Sequence, residues 1–225
     1  MLIVAGAALA VAAIAIVVSV VVGGGHKQAS PTTTVNADLS GVEGIPQKGL
    51  VLGNPLARVG MTEFADTSCP ACQRYTLDTF PTLSAQYVRT GKVRMELRLV
   101  DFVGPSSPRG RDLVLAAAKQ NKAWQLLELL YQNQGDETTN WLTDDVARAI
   151  ASKVPGLDVD KLFTDAGSAS VADQATSMDT EAQSAGVKGT PTFFLTTPDG
   201  KVHLLSEGGG TPSQFAERLD RALSS

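Results

Sequence analysis

The clearest periodicity in the chain is Val93-Arg94-Met95-Glu96-Leu97-Arg98-Leu99, which alternates apolar and charged positions without a break. A period of two puts every apolar side chain on one side of an extended segment, so this stretch predicts a half-buried strand. Val59 to Ala65 predicts another strand, and Leu50-Val51-Leu52 a short edge strand or an extended arm. After Cys72 the pattern turns helical, with Tyr75, Phe80, Leu83 and Tyr87 or Val88 on one side and a stop at Thr90-Gly91. Pro81 lies inside that pattern and removes a backbone donor, so a kink or break is expected there. From Arg109 to about Gly186 the spacing stays helical. Leu113, Ala116, Ala117, Trp124, Leu127 and Leu130 form one stripe, and residues 134–140 form a polar loop. Thr143-Asp144-Asp145 opens a helix bearing Val146 and Ile150, and residues 157–163 predict a short one. Val171, Ala175, Met178 and Ala182 mark a further helix. Thr192 to Thr197 and Lys201 to Ser206 predict two strands joined by a turn at Pro198-Asp199-Gly200. The last helix opens with a capping box, Thr211 and Gln214 around Pro212, and turns Phe215, Leu219 and Leu223 inward. The order is strand, helix, strand, a block of helices, hairpin, helix: an α/β core with an all-helical insertion at about residues 109–186.

Two segments precede this domain. Leu2 to Val22 is a 21-residue run whose only polar side chain is Ser19. At about 1.5 Å per residue it spans roughly 31 Å, enough for a bilayer core of about 30 Å. It is longer than the apolar region of a cleaved signal, usually about 7–15 residues, and lacks a clear cleavage site. The expectation is therefore an N-terminal transmembrane anchor over residues 1–22, with a cleaved signal as the alternative. No Lys or Arg precedes the run, while His26 and Lys27 follow it, so charge does not orient it. Residues 23–49, opening Gly23-Gly24-Gly25 and continuing through Ser30-Pro31-Thr32-Thr33-Thr34, predict a flexible linker. The folded domain is expected to start near Leu50 and to run to Ser225.

Composition adds exclusions. Net charge is −4, with no long basic run, which argues against a nucleic-acid partner. Two cysteines are too few for a disulfide-stapled scaffold. Both lie in Cys69-Pro70-Ala71-Cys72, between a predicted strand and a predicted helix. Cys69 at the N-cap, with Pro70 at the first helical position, faces unpaired backbone N–H groups and the positive end of the helix dipole. These favour the thiolate, which is the nucleophile, and Cys72 one turn later is placed to resolve a mixed disulfide. A zinc site would need about four ligands, and only His26 and His203 are on hand, both distant. A structural disulfide would gain little from so short a loop. Gly208-Gly209-Gly210 lacks the Lys-Ser pair of a phosphate loop.

Leu52-Gly53-Asn54-Pro55, Glu63-Phe64-Ala65-Asp66-Thr67-Ser68-Cys69-Pro70-Ala71-Cys72 and Gly186-Val187-Lys188-Gly189-Thr190-Pro191-Thr192-Phe193-Phe194 together resemble the DsbA-type branch of the thioredoxin superfamily. The resemblance implies Cys69 as attacking cysteine, Cys72 as resolving cysteine, and Pro191 as a cis-proline facing them. It implies that Thr190, with Pro70 and Ala71, lines the substrate site, a peptide adding there as an extended strand. Glu63 stands where the family often keeps a buried acid beneath the second cysteine, able to exchange a proton with it; a solvated, edge-facing glutamate is the alternative. Ala71 stands where strongly oxidising relatives often carry histidine, which implies a milder oxidant than the family's strongest at about −120 mV. The implied activity is thiol–disulfide oxidation of secreted or envelope proteins on the extracytoplasmic side of the membrane, with no cofactor beyond the Cys69–Cys72 pair. The implied partner for re-oxidation is a quinone-linked membrane oxidase of the DsbB or vitamin K epoxide reductase (VKOR) type. A reductase or isomerase, or a binding module with incidental cysteines, are the competing readings.

Overall fold

The structure, a computed structural model, describes residues 34–225. The apolar run expected to cross a membrane and the first part of the expected linker lie outside the described residues. Among the described residues no helix is long and apolar enough to cross a membrane.

Strands β1 (Gln47–Lys48), β2 (Val51–Leu52), β3 (Val59–Ala65), β4 (Val93–Leu99), β5 (Thr192–Thr196) and β6 (Val202–Glu207) form one sheet in the order β1-β2-β4-β3-β5-β6. β3 and β4 are parallel, with Val59 opposite Val93 and Ala65 opposite Leu99, while β5 runs antiparallel to β3. The alternation in β4 is realised directly. Val93, Met95, Leu97 and Leu99 are buried, and Arg94, Glu96 and Arg98 point to the other face, where Arg98 pairs with Glu181 at 2.6 Å. The Leu50–Leu52 segment is not an edge, because β1 pairs along it.

Helix α1 (Pro70–Arg74), a π-helical turn (Tyr75–Thr79), α2 (Phe80–Leu83) and a second π turn (Ser84–Val88) follow one another without interruption. Pro81 sits in the first turn of α2, just past the first widened turn, where the Phe80 N–H already reaches back to Tyr75 O. The widened turns accommodate the proline, so of the kink or break expected there the helix shows an irregular, widened stretch and no break. This helical run and α8 (Pro212–Leu223) pack on one face of the sheet, burying Phe80, Leu83, Phe215 and Leu219 against Val59, Met61 and Ala65. Thr211 and Gln214 close the capping box of α8.

The insertion comprises α3 (Ser107–Ala118), α4 (Ala123–Gln132), α5 (Asp144–Ala151), α6 (Val159–Ala166) and α7 (Ala169–Ser184). The single stripe read from Leu113 to Leu130 belongs to two helices. Asn121, at φ 56°, takes the left-handed conformation that reverses the chain between α3 and α4. α7 crosses the opposite face of the sheet at β4, where the Leu99 N–H meets Met178 Sδ at 3.3 Å.

The linker expected over residues 23–49 is corrected for its second half. Val42 and Ile45 are buried in the main core, Val35 and Leu39 pack against it, and Gln47–Lys48 is already a strand. The side-chain amides of α4 and its exit fasten this arm. Gln132 bonds both the N–H (2.9 Å) and the C=O of Asp38, and Asn133 bonds both the N–H (2.8 Å) and the C=O (2.8 Å) of Asn36. Those partners lie more than ninety residues away in sequence, so composition alone reads the arm as unstructured.

Candidate active site

Parallel pairing of β3 and β4 sends both strands out at the same end of the sheet. The turn after β3, Asp66-Thr67-Ser68, is fully buried. The Asp66 carboxylate shapes it by accepting the Ser68 N–H at 2.8 Å and the Val103 N–H at 2.9 Å, tying the exits of β3 and β4 together. Cys69 follows as the N-cap of α1, in an extended conformation (φ −78°, ψ 117°), with Pro70 inside the first turn. The Cys69 sulfur accepts the Cys72 N–H at 3.3 Å, one of the orphan donors of the helix start, and as a thiol donates to Thr190 O at 3.2 Å.

Thr190 is brought there by the loop entering β5, and the Thr190–Pro191 peptide bond is cis. Pro191 O accepts the Gly208 N–H at 2.8 Å, which couples this loop to the segment leaving β6. Gly209 (φ 93°) lies beneath the proline ring, where a Cβ would stand 3.7 Å from Pro191 Cγ. A groove of about 330 Å³ runs past this point, between Ala71, Arg74 and Asp78 on one wall and Gly208 to Gly210 on the other. Cys69, Cys72, Pro70, Ala71, Thr190 and Pro191 thus meet in one place, from segments some 120 residues apart.

The two sulfurs are electrostatically unlike. Both belong to free thiols. The Cys69 thiol is pulled down to about 6 by hydrogen bonding from the Cys72 thiol, helped by the Thr190 side chain and the Cys72 and Ala71 N–H groups, against an opposing effect of burial. Burial pushes the Cys72 thiol well above the ordinary thiol range, and its hydrogen bond to Cys69 and the nearby Cys69 and Glu63 charges add to that.

Glu63 points from β3 into the main core, flanked in register by Leu97 and Phe193, and is 1% exposed. This removes the solvated alternative. Burial raises its carboxyl to about 8, with Cys69 and Glu128 adding to the push, and its Oε1 has no hydrogen-bond partner among the described residues. At neutral pH it is therefore a neutral acid within electrostatic range of both sulfurs. Glu128 on α4 is a second buried acid, raised by burial to about 7.

Several contributors were not legible in the sequence. Asp66 stands in the sequence only as part of the motif around Cys69, although an Asp two residues before a Ser at a turn is a local cue. Tyr131, Gln134 and Trp141 reach the cysteine turn from the insertion, with nothing in their spacing to mark it.

Adjacent thiols of opposite acidity at a helix start, faced by a cis-proline on a mixed sheet, define a dithiol–disulfide protein of thioredoxin-like architecture. The chain belongs to the Thioredoxin family, whose pattern matches residues 46–207. It is 32% identical over 147 residues to the "Probable disulfide bond formation protein D" of Bacillus cereus, covering 64% of this chain and 68% of that protein. Among solved structures it is similar to oxidised BdbD from Bacillus subtilis (TM-score 0.69, 22% identity, 80% of this chain and 98% of that one). It is also similar to a thioredoxin-like oxidoreductase from Silicibacter pomeroyi (TM-score 0.63, 26% identity, 84% and 99%).

Proposed function

We propose that this chain is a thiol–disulfide oxidoreductase that introduces disulfides into exported proteins through Cys69 and Cys72. The observation that carries this reading is the asymmetry of the two sulfurs: one held as thiolate at the helix start, the other buried and held as thiol. In the oxidised protein a client thiolate attacks Cys69 Sγ and the Cys69–Cys72 bond breaks. Cys72 leaves and takes a proton, for which the neutral Glu63 carboxyl is the buried source. A second client thiolate then attacks the client sulfur of the mixed disulfide, and Cys69 departs as its stabilised thiolate. The client gains a disulfide, and the protein retains the two electrons as a dithiol. A low-pKa leaving group favours this direction.

The client enters as an extended segment beside Thr190, using the groove along Ala71 and Gly209. The redox pair needs no dissociable cofactor. Re-oxidation falls to a quinone-linked membrane oxidase of the DsbB or VKOR type. The apolar run from Leu2 to Val22 anchors the domain on the extracytoplasmic side, supported by its length and by the chemistry, which needs an oxidising compartment.

The test is the reduction potential of Cys69–Cys72, measured by equilibration in glutathione buffers. A value at or above about −180 mV fits a disulfide donor, whereas one near about −270 mV would make the protein a reductase.

A further inference from the structure

The turn that carries the attacking cysteine is gripped residue by residue from the helical insertion. Asp66 O accepts the Tyr131 hydroxyl at 3.1 Å, and Ser68 Oγ accepts Trp141 Nε1–H at 3.3 Å. Thr67 O and Cys69 O both accept from one group, the side-chain amide nitrogen of Gln134, at 2.8 and 3.3 Å. Of these contacts, only that of Gln134 spans the turn and the helix cap together.

We propose that Gln134 is a positioning residue for disulfide exchange: by holding the Thr67 and Cys69 carbonyls at once, it fixes the backbone of Ser68 and Cys69 and so aims the first helical N–H groups at the Cys69 sulfur. A carboxamide suits this task because its NH₂ carries two donors, one for each carbonyl. Thr67 is fully buried, and a buried carbonyl left without a donor is costly, so the turn would shift to find another partner. Cys69 O already takes the Gln73 N–H at 3.0 Å as the first rung of the helix. Holding that same carbonyl from outside sets the direction of the helix relative to the Cys69 side chain. The Cys72 N–H reaches sulfur at 3.3 Å, a contact that a rotation about the Cys69 backbone would open.

The inference rests on Cys69 being the attacking cysteine, and its test separates the two claims. In the full-length chain, Gln134→Met keeps the volume and removes both donors, and Gln134→Ala is the second variant. The readouts are the thiolate titration of Cys69, followed by ultraviolet absorbance with Cys72 replaced by serine, and the glutathione equilibrium of the intact pair. Loss of about one hydrogen bond's worth of thiolate stabilisation moves the titration midpoint up by about one pH unit. At neutral pH the equilibrium then shifts about fivefold toward the oxidised protein, or about 20 mV more reducing. Asn133→Ala, which loosens the arm at Asn36 and leaves the turn alone, lowers stability without moving either readout. If Gln134→Met and Gln134→Ala unfold more easily but keep the wild-type midpoint and potential, Gln134 is structural and the inference falls alone. If wild-type Cys69 itself titrates as an ordinary thiol, the oxidase reading falls and takes this inference with it.

Discussion

Replacing Cys69 by serine in the reduced protein removes a group whose titration is displaced from about 9 to about 6. The sign follows from proton counting. Below pH 6 the thiol is protonated in both folded and unfolded chains and contributes nothing. Between 6 and 9 the unfolded chain holds the extra proton, so stability rises with pH; the contribution is complete above 9 and is lost as pH falls through 6. At pH 7 this amounts to about 1 kcal/mol, and where complete to about 4 kcal/mol. Glu63 titrates in the opposite sense, being raised from 4.5 to about 8; its main cause, burial, is common to both proteins and cancels in the comparison, and the smaller part that the Cys69 charge adds works against the wild-type advantage. The measurement is urea unfolding under reductant at about pH 5 and pH 7, for wild type and Cys69→Ser, with equal m-values as a check. The wild-type advantage should grow by about 1 kcal/mol across that interval. An advantage that stays flat or shrinks would refute the stabilised thiolate. The same free energy favours the reduced over the oxidised form, so the experiment also bears on the direction of exchange.

Glu63→Gln keeps the shape of a buried acid that is neutral at pH 7 but cannot yield a proton. The first exchange step, in which Cys72 leaves as the client thiolate attacks Cys69, should slow by about 10²-fold, the low end for a positioned proton donor, as read by stopped-flow tryptophan fluorescence. Because the raised Glu63 carboxyl costs wild type stability as pH climbs from 4.5 toward 8, the variant should also gain on wild type across that window in urea unfolding. Tyr75→Phe deletes a buried hydroxyl that has no partner among the described residues and should stabilise the domain by about 1 kcal/mol; a loss of that size in thermal unfolding would mean the hydroxyl is satisfied. Gly110→Ala places a Cβ 2.0 Å from Thr67 Oγ1 and 2.7 Å from Thr67 Cβ, pushing α3 against the cysteine turn. It should cost about 1–3 kcal/mol and slow exchange as well, and a variant with wild-type stability and rate would show that α3 is not held there.

The sequence by itself determined those features whose cause is local. The alternation of β4 comes from the two-residue repeat of a strand, the start of α8 from a capping box closed within four residues, and the Cys69 cap from Pro70 beside it. The order of elements, read with the motifs around Cys69 and Pro191, was enough to reach the architecture.

Tertiary structure decided what depends on partners far along the chain. The arm from Val35 to Ile45 looks like linker because its few apolar residues bury only once α4 offers Gln132 and Asn133 to its backbone. Glu63 reads as a buried acid, with a solvated glutamate as the alternative, until Leu97 and Phe193 close on either side of it. The grip of Tyr131, Gln134 and Trp141 on Asp66 to Cys69 carries no sequence signal at all: Tyr131 and Gln134 bond backbone carbonyls, which every residue type offers, and Trp141 reaches the Ser68 hydroxyl, so each partner is selected by position in space. The sequence therefore placed the two cysteines at a helix start, and the packed insertion determined how that start is aimed.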